Sequence, residues 1–461
     1  MKYRGLNYVA NLAYEGATRS ERFPDWNSTR DGPNAVLEHE LDILVRRSRD
    51  AYRNVPWIKQ AVDTLVNDEV GCGIVPRFRC SDKKIRDKLQ SLWNIWSDEC
   101  DYDGLFNFNG ILSLAVTERL VAGESFILFK VGNNELQVPL QLQILESEQL
   151  PLLVMGNDSI QLGIEVLYNK RIAYHFYKNH PGERRFTAHY NDLVRVVKND
   201  VVHHYCPTRA GQLRGDPACA TSLMRMKVFD SYETAELSRK TTKSHITGFV
   251  KQPIIDDIIS PITGESVSVV DGTGQINVTP GTIVELRPGE DITFTNSDDS
   301  GDNFAAFMRE QKLAMAAGFN MPYELLSGDY ASTNDRILKV ILGGYHRAIS
   351  KKQDLVTIHQ VCRNTVNKWI DMAVLSGAID IPGYADDAEV KIDSRKVDWR
   401  PEGWPYMHVL QDINAKLLKI KSGLSSRSAE AAEMGGYDIE DIDLQNQEDN
   451  KRANDLGLTY E

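Results

Sequence analysis

Five histidines between positions 175 and 204 are the residues whose type and spacing come closest to a metal-binding pattern. They are His175, His180, His189, His203 and His204. A zinc site needs fixed ligand spacing together with a carboxylate or cysteine partner. His203 and His204 are adjacent in a strand-like stretch, so their side chains should point to opposite faces of a sheet. We therefore favour ordinary histidines on a sheet, and we keep a metal-dependent hydrolase using the His175/His203/His204 region as the alternative.

Other motifs that carry chemistry are missing from the sequence. It has no GxxxxGK[ST] loop for a nucleotide phosphate, no GxSxG nucleophile turn and no HExxH metal pair. The six cysteines form no CxxC pair, so neither a zinc knuckle nor a redox motif is indicated. We accordingly predict a protein that is not an enzyme and that has no catalytic residue, no metal and no cofactor.

The composition is that of a folded protein with room for roughly two or three domains in 461 residues. No apolar stretch approaches the ~20 residues of a membrane span, and the amino terminus lacks the apolar core of a signal peptide. The formal net charge is −12, which argues against a DNA-binding regulator that grips phosphates with a broad basic face. An acidic surface still suits DNA that must slide past the protein.

Residues 35–211 predict one α+β domain. Apolar residues at helical spacing predict helices over 35–53, 56–70, 85–96 and 108–122. Short β-branched and aromatic stretches with turn residues between them then predict a mainly antiparallel sheet. These stretches are ESFILFKV, VPLQLQILE, IAYHFYK and DLVRVVKNDVVHHYC.

Residues 212–248 predict one helix of unusual length. Asp216 can cap it, Pro217 fits its first turn, and at ~1.5 Å per residue it would be ~45 Å long. Its first half carries an apolar stripe at four-residue steps, formed by Ala220, Met224, Val228 and Tyr232. After Leu237 the residues are polar all round. Such a helix either ends in solvent or lies against other chains.

The pattern after this helix predicts an insert between two helices. Residues 249–301 combine short strands with glycine-rich turns, and a second helix follows from Asp302 to Gly318. The economical geometry is a pair of helices that projects from the main domain with the β-rich insert at its tip.

A loop rich in glycine and proline comes next, followed by a very long helical pattern from Asn334 to about Ser376. Gly343-Gly344 lies inside that pattern and predicts a kink. Residues 380–461 return to proline, glycine and acidic residues, and then predict short polar helices.

Seven stretches of the sequence occur in a recognisable order. They are RSRDAYRNVPWIKQAVDTLVNDEVGCGI, LWNIWSDECDYDG, RLVAGESFILF, PLQLQILESEQL, RAGQLRGDP, PGTIVELRPGEDI and GFNMPYELLSGDYASTN. Their order and spacing together resemble the portal proteins of lambda-like tailed phages. The likeness runs from about Tyr14 to beyond Gly436, which is nearly the whole chain.

The resemblance implies a ring of about a dozen copies of the chain at one capsid vertex of a virion, assembled in the bacterial host cytoplasm. Double-stranded DNA would be pumped in through the channel and later leave by it. The implied partners are the terminase large subunit, the major capsid and scaffold proteins and head–tail connector proteins, with no membrane. The ATP-consuming motor must then be a separate protein, since this chain has no nucleotide loop.

The resemblance also implies a portal fold with wing, stem, clip and crown. The predicted parts map onto it as 1–34 amino-terminal arm, 35–215 wing, 216–250 stem helix, 251–301 clip, 302–318 second stem helix, 319–333 tunnel loop, 334–379 long kinked helix of the wing and 380–461 crown and carboxy-terminal region. The stem helix can be polar all round because its neighbours are then copies of itself around a channel.

In that architecture the tunnel loop points into the narrowest part of the channel. The DNA-channel candidates are Asp329, Tyr330, Ser332, Asn334 and Arg336, with Arg239, Lys240 and Lys243 on the stem helix. Polar side chains that touch phosphates weakly, beside an acid that repels them, suit a sliding polymer. The alternative is an ordinary surface loop in which Asn334 caps the next helix. The motor-docking candidates in the clip are Asp256, Asp257, Glu265 and Asp271.

Overall fold

The computed structural model describes most of the chain in segments. These are residues 30–132, 135–154, 159–183, 193–245, 249–251, 284–286, 302–331, 333–404, 409–435 and 439–458. Among the helices of these segments, none combines the length and the apolar character that crossing a membrane requires. The fold is α+β, as the sequence predicts, with helices packed around antiparallel sheets.

Four helices and one strand open the described part. They are α1 (Pro33–Asn54), α2 (Pro56–Val70), β1 (Ile74–Phe78), α3 (Lys83–Glu99) and α4 (Phe108–Ala122). Proline occupies the first turn of α1 and α2. The side chains of Asp82 and Asn107 accept backbone N–H groups at the starts of α3 and α4. Gly123 ends α4 with a φ of 92°, a conformation that favours glycine. The four predicted helices are confirmed.

Two antiparallel sheets follow. The first contains β2 (Glu124–Val131), β3 (Leu140–Leu145) and β8 (Val201–Tyr205), in the order β3-β2-β8. The second contains β4 (Ile160–Gln161), β5 (Ile164–Leu167), β6 (Lys170–Tyr177) and β7 (Leu193–Val197), in chain order. The stretch DLVRVVKNDVVHHYC therefore forms two strands, one in each sheet, with a 3-10 turn over 198–200 between them.

The remaining elements continue in chain order. They are α5 (Leu223–His245), β9 (Phe249–Lys251), β10 (Val284–Leu286), α6 (Asp302–Gly318), α7 (Tyr323–Ser327), α8 (Asp335–Lys352), a π-helical segment (Gln353–Cys362), α9 (Arg363–Leu375), α10 (Ala388–Ser394), β11 (Val397–Pro401), α11 (Val409–Lys421), α12 (Arg427–Gly435) and α13 (Ile439–Leu456). Strand β11 pairs antiparallel with β1, so the chain returns to its amino-terminal part after α10. Strands β9 and β10 pair in parallel.

An aromatic cluster fixes the long helix after the tunnel loop to the amino-terminal helices. The ring centroid of Trp93 lies 4.9 Å from Trp96, 5.2 Å from Phe108 and 5.2 Å from Trp369 on α9. All four side chains are buried. Tilted and edge-to-face aromatic pairs contribute about 0.5–1.5 kcal/mol each beyond the burial of their area. The end of the long helix therefore shares one hydrophobic core with the amino-terminal helices.

The first stem helix begins later than predicted, at Leu223 rather than near Asp216. The Asp216 carboxylate does not cap it, because it accepts a hydrogen bond from Gln212 Nε2 at 3.2 Å. The backbone N–H of Ala218 donates to Leu120 O of α4 at 2.9 Å, and turns occupy residues 218–222. Contacts with α4 thus override the local start signal. The helix has 23 residues and a length of ~35 Å rather than ~45 Å.

The long helical pattern departs from α-helical geometry at a different place from the predicted kink. Helix α8 continues through Gly343-Gly344, whose surroundings are open. The change comes at Gln353, where ten residues are π-helical. There Gln353 Nε2 donates to Glu69 O at 3.0 Å, and Thr357 Oγ1 donates to Glu69 Oε1 at 2.6 Å. Side-chain contacts with α2, and not the glycines, coincide with the irregular segment.

Candidate functional site

Helices α5 and α6 form an antiparallel pair, here called the stem pair. The ring of Tyr232 on α5 lies 6.1 Å from Phe304 and 5.2 Å from Phe307 on α6, centroid to centroid. Nearer the wing, Arg225 Nη1 donates to Gln311 Oε1 at 3.1 Å. Later residues of α5 thus meet earlier residues of α6, which is the arrangement predicted for two helices flanking an insert.

The predicted DNA-channel cations on α5 contact partners within the stem pair. Arg239 Nη2 donates to Glu236 Oε1 at 2.8 Å, and Lys240 Nζ lies 3.9 Å from the same carboxylate. Lys240 Nζ also lies 4.7 Å from the centroid of the Phe304 ring. The side chain of Lys243 lies outside the described part. Arg239 is therefore paired within α5, whereas Lys240 contacts both helices of the stem pair, and these contacts reduce the positive charge that the two residues present to solvent.

One face of α5 is apolar and uncovered. Met224 and Val228 are 69% and 67% exposed, and they lie one helical turn apart on the same face. Met226 and Phe229, which point away from that face, are each 3% exposed and belong to the core. The apolar stripe predicted from the sequence therefore has two parts. Tyr232 packs against α6, whereas Met224 and Val228 face solvent. Met224 and Val228 form an apolar face, here called the stem face, that a single chain leaves open to solvent.

Hydrogen bonds within the tunnel loop hold its shape. A short helix that the sequence did not predict, α7, occupies its first half, and Gly328 ends that helix with a φ of 67°. Asp329 Oδ1 accepts from the backbone N–H of Ala331 at 3.1 Å, and Thr333 N–H donates to Tyr330 O at 3.1 Å. Asp329 is exposed and Tyr330 is 47% exposed. The loop therefore presents both candidate side chains on an ordered backbone.

The other loop candidates have different environments. The Asn334 side chain accepts from Arg336 N–H at 3.1 Å and so caps α8, which was the alternative interpretation for that residue. The Arg336 side chain is exposed in the first turn of α8. Ser332 lies outside the described residues. The same holds for the clip candidates Asp256, Asp257, Glu265 and Asp271.

A buried ion pair, which the sequence did not indicate, fixes the chain just before the stem pair. Arg214 Nε donates to Glu124 Oε1 at 2.5 Å, and both side chains are almost fully buried. Arg214 also donates to Leu150 O (3.1 Å), Leu162 O (3.0 Å) and Ser147 O (3.0 Å). One guanidinium therefore connects β2, the turn after β3 and the second sheet to the segment that leads into α5.

The second carboxylate oxygen of Glu124 completes this contact set. It accepts from Gly215 N–H at 3.0 Å and lies 2.9 Å from His203 Nε2 on β8. Burial alone would raise the pKa of Glu124, but the Arg214 charge and the His203 and Gly215 hydrogen bonds outweigh it and lower that pKa to about 2. A Cβ at residue 215 would lie 2.0 Å from Gly123 O, so only glycine fits. We call Glu124, His203, Arg214 and Gly215 the stem joint.

The histidines proposed for a hydrolase lie in three separate environments. His203 belongs to the stem joint. His204 points to the opposite face of β8, as predicted, where Nδ1 lies 3.3 Å from Ser125 Oγ and Nε2 lies 3.4 Å from Thr357 Oγ1. His175 lies 3.4 Å from Glu165 in the second sheet. These contacts describe structural histidines of a sheet and do not bring a ligand set together; His189 lies outside the described residues.

Glu146, Glu148 and His180 do lie close enough together to hold a metal ion. The Arg49 guanidinium already contacts both acids, at 2.6 Å from Glu148 Oε1 and 3.4 Å from Glu146 Oε2. His180 Nδ1 accepts from Gly182 N–H at 3.0 Å. His180 Nε2 lies 2.9 Å from Glu146 Oε2, so the three groups already contact one another or Arg49. This cluster is an internal ion pair and does not support the hydrolase alternative.

His203 should make the fold sensitive to acid. Burial is the largest cause that lowers its pKa, to about 4, below the ordinary value of 6.5. The unfolded chain therefore binds the proton first as the pH falls. Stability from neutral His203 is complete above pH 6.5 and is lost toward pH 4, at up to about 1.4 kcal/mol per pH unit. In urea unfolding at pH 7 and pH 5, His203→Gln should lose less stability on acidification than the wild type; equal losses would contradict this role.

Comparisons with known proteins agree on one family. The family model for phage portal proteins of the lambda family matches residues 19–353. The probable portal protein of Halomonas phage phiHAP-1 is 22% identical over an alignment of 442 positions that covers 92% of this chain and 83% of that protein. The portal proteins of Escherichia phages N15 and lambda are 20% and 19% identical, over 56% and 51% of this chain. These two matches span 51% and 47% of the relatives' own length.

Solved structures with similar chains come from gene transfer agent (GTA) particles. The neck of the native GTA particle, computed with C12 symmetry, gives a TM-score of 0.46 at 13% identity, with 87% of this chain and 94% of that chain covered. The neck of the empty particle, computed with C6 symmetry, gives 0.44 at 14% identity, with 85% and 92% covered. Because the family model covers most of the chain, this chain belongs to the lambda family of phage portal proteins, a structural rather than an enzymatic family.

Proposed function

We propose that about a dozen copies of this chain form a ring at one capsid vertex and that double-stranded DNA passes through its channel during packaging and ejection. The proposal rests on two observations, the stem face and the membership of this chain in the portal protein family. Met224 and Val228 are largely exposed on a helix whose opposite face is buried. An exposed apolar face of this kind is a protein–protein contact site, and heterologous contacts that repeat by rotation close into rings.

Two other helices add to the uncovered apolar surface of a single copy. Val340 on α8 is 77% exposed and Leu410 on α11 is 79% exposed. The two helices meet where Lys339 Nζ donates to Asp412 Oδ1 at 3.2 Å. We infer that this surface, like the stem face, is covered by a neighbouring copy.

The ring would act as a conduit and a docking platform. The motor, a terminase large subunit, would dock on the clip at residues 251–301, and head–tail connector proteins would take that place after packaging. The major capsid and scaffold proteins would surround the ring in the host cytoplasm during assembly. The tunnel loop and the stem pair would line the channel, as the DNA-channel candidates imply.

Imaging tests the proposal directly. Negative-stain microscopy of the purified full chain should show closed rings with a central pore wide enough for duplex DNA. Light scattering at micromolar concentration should give the matching mass. A compact monomer or dimer in both measurements would contradict the proposal.

The tunnel loop should determine how strongly the channel contacts the DNA phosphates and therefore how fast DNA is packaged. Exchanging both Asp329 and Tyr330 for lysine places strong phosphate contacts where the wild type has a repelling acid and a neutral ring, so packaging should slow several-fold while rings still form. The measurement is the DNA packaged per unit time in a reaction with motor and empty capsids.

A matched variant controls for the added charge. Tyr168→Lys with Asp386→Lys changes the same residue types at two exposed positions away from the loop. It should package at the wild-type rate. If the loop variant also packages normally and retains its DNA, the loop is not the constriction.

A further inference from the structure

The wing contains a cleft of about 920 Å³ on the side of β8 that carries His203. Strand β6, the turn over 198–200 and β8 form one wall, and the π-helical segment and α9 form the other. This volume is at the upper end of the range for pockets that enclose a ligand. The ring and the DNA channel proposed above do not use this cleft.

The cleft is positively charged in a chain whose net charge is −12. Its lining cations are Lys170, Arg171, Lys198, Lys368 and Arg395, and its lining acid is Asp371. Two of the cations are neutralised: Lys368 Nζ bonds Asp200 Oδ1 at 2.8 Å, and Arg395 Nη2 bonds Asp371 Oδ1 at 2.5 Å. Lys170, Arg171 and Lys198 remain as the cations that require an explanation.

The three remaining cations have no carboxylate partner within the described part of the chain. Arg171 Nη2 donates to two neutral acceptors, Tyr205 Oη and Gln212 O, which orient the guanidinium without cancelling its charge. Its Cζ also lies 5.1 Å from the centroid of the Tyr205 ring. Lys170 and Lys198 are exposed at the rim. A guanidinium held by neutral acceptors, with two exposed ammonium groups lining the same cleft, can bind carboxylates or phosphates.

The inside of the cleft favours a peptide over a duplex. The His203 and Tyr205 rings stack at 4.3 Å and are buried. Amides from Asn364 and Asn367 line the opposite wall and can pair with peptide N–H and C=O groups. A DNA duplex is too wide to enter a cleft of this volume, and it would contact only the rim. An extended chain with acidic side chains can reach both the amides and the inner guanidinium.

We propose that this cleft binds an acidic peptide segment of a partner protein. Carboxylates of the segment pair with Lys170, Arg171 and Lys198, and its backbone contacts the amide wall. Clusters of cationic side chains recognise acidic motifs of partner proteins in this way.

The test uses the full-length chain in its assembled form and a fluorescent hexaglutamate peptide. Anisotropy should show binding that weakens with salt, and a hexaglutamine peptide should not bind. Lys170→Glu with Lys198→Glu should weaken the affinity by about tenfold or more, since two attractive pairs become repulsive. Lys83→Glu with Lys88→Glu reverses the same charges on exposed α3 positions and should leave the affinity unchanged.

Other occupants of the cleft would appear as distinct outcomes. Equal hexaglutamate affinity in wild type and in the cleft variant would overturn the proposal. So would a short duplex that displaces the peptide and loses its own binding in the cleft variant, because the ligand would then be nucleic acid. Loss of assembly in the cleft variant would also overturn it, since the cleft would be a contact between copies. Lys170→Gln with Lys198→Gln should give an intermediate affinity and checks that the result does not come from misfolding.

Discussion

Replacing Arg214 with methionine should lower the free energy of unfolding by about 3–5 kcal/mol, the cost of breaking a buried ion pair from one side. Methionine fills part of the space but leaves the Glu124 carboxylate, which is 0% exposed, without its main partner. The carbonyl groups of Ser147, Leu150 and Leu162 lose a donor as well. Urea unfolding of variant and wild type in the same assembly state measures the difference.

An exposed arginine–carboxylate pair serves as the control. Arg46 Nη2 lies 2.6 Å from Asp42 Oδ2, with side chains that are 66% and 54% exposed. Pairs of this kind contribute about 0–1 kcal/mol, so Arg46→Met should change stability little. Similar losses in the two variants would mean that the stem joint does not anchor the segment before α5.

The local sequence pattern was sufficient to predict the bounds of an element where neighbouring residues alone determine it. ESFILFKV is a β-branched and aromatic run, and it forms β2 with the same bounds, Glu124–Val131. Helix α6 begins and ends at the predicted residues, Asp302 and Gly318. In both cases side-chain periodicity and a turn residue act within a few positions, so no distant contact is needed to place the element.

Contacts between distant residues account for the features that the sequence could not predict. Asp216 has the residue type of a helix cap, yet its carboxylate is occupied by Gln212, and the following turn is held by Leu120. The π-helical segment contacts Glu69, which lies 284 positions earlier than Gln353. No local pattern contains this information.

The stem joint was missed for the same reason. In QLRGDP a charged arginine is followed by a glycine, and this pattern is typical of an exposed turn. Its carboxylate partner is 90 positions away, and the burial of both depends on how the two sheets meet. The tunnel loop shows the opposite case: the alternative interpretation of Asn334 as a helix cap needs only the next two residues, and the structure confirms it.

Replacing Met224 and Val228 with aspartate should abolish ring assembly while leaving the single chain folded. Both side chains already lie in solvent in one copy, at 69% and 67% exposure, so a charge there costs the monomer little. At an interface the same change removes about 1.5–3 kcal/mol of apolar burial per residue and adds the cost of desolvating a carboxylate. Losing that energy at every contact of a closed ring weakens association far more than tenfold per contact.

Native mass measurement and negative-stain microscopy of the aspartate variant give the result: monomers should replace rings, with an unchanged helix signal in circular dichroism. Met224→Leu with Val228→Ile is the matched control, because it keeps an apolar stem face of similar volume and should keep the rings. Rings that persist with two aspartates on this face would show that the copies meet through other surfaces, and α8 with α11 would then be the next helices to test. Loss of rings in both variants would instead point to a demand for close packing at these two positions, because the conservative pair changes shape without adding charge.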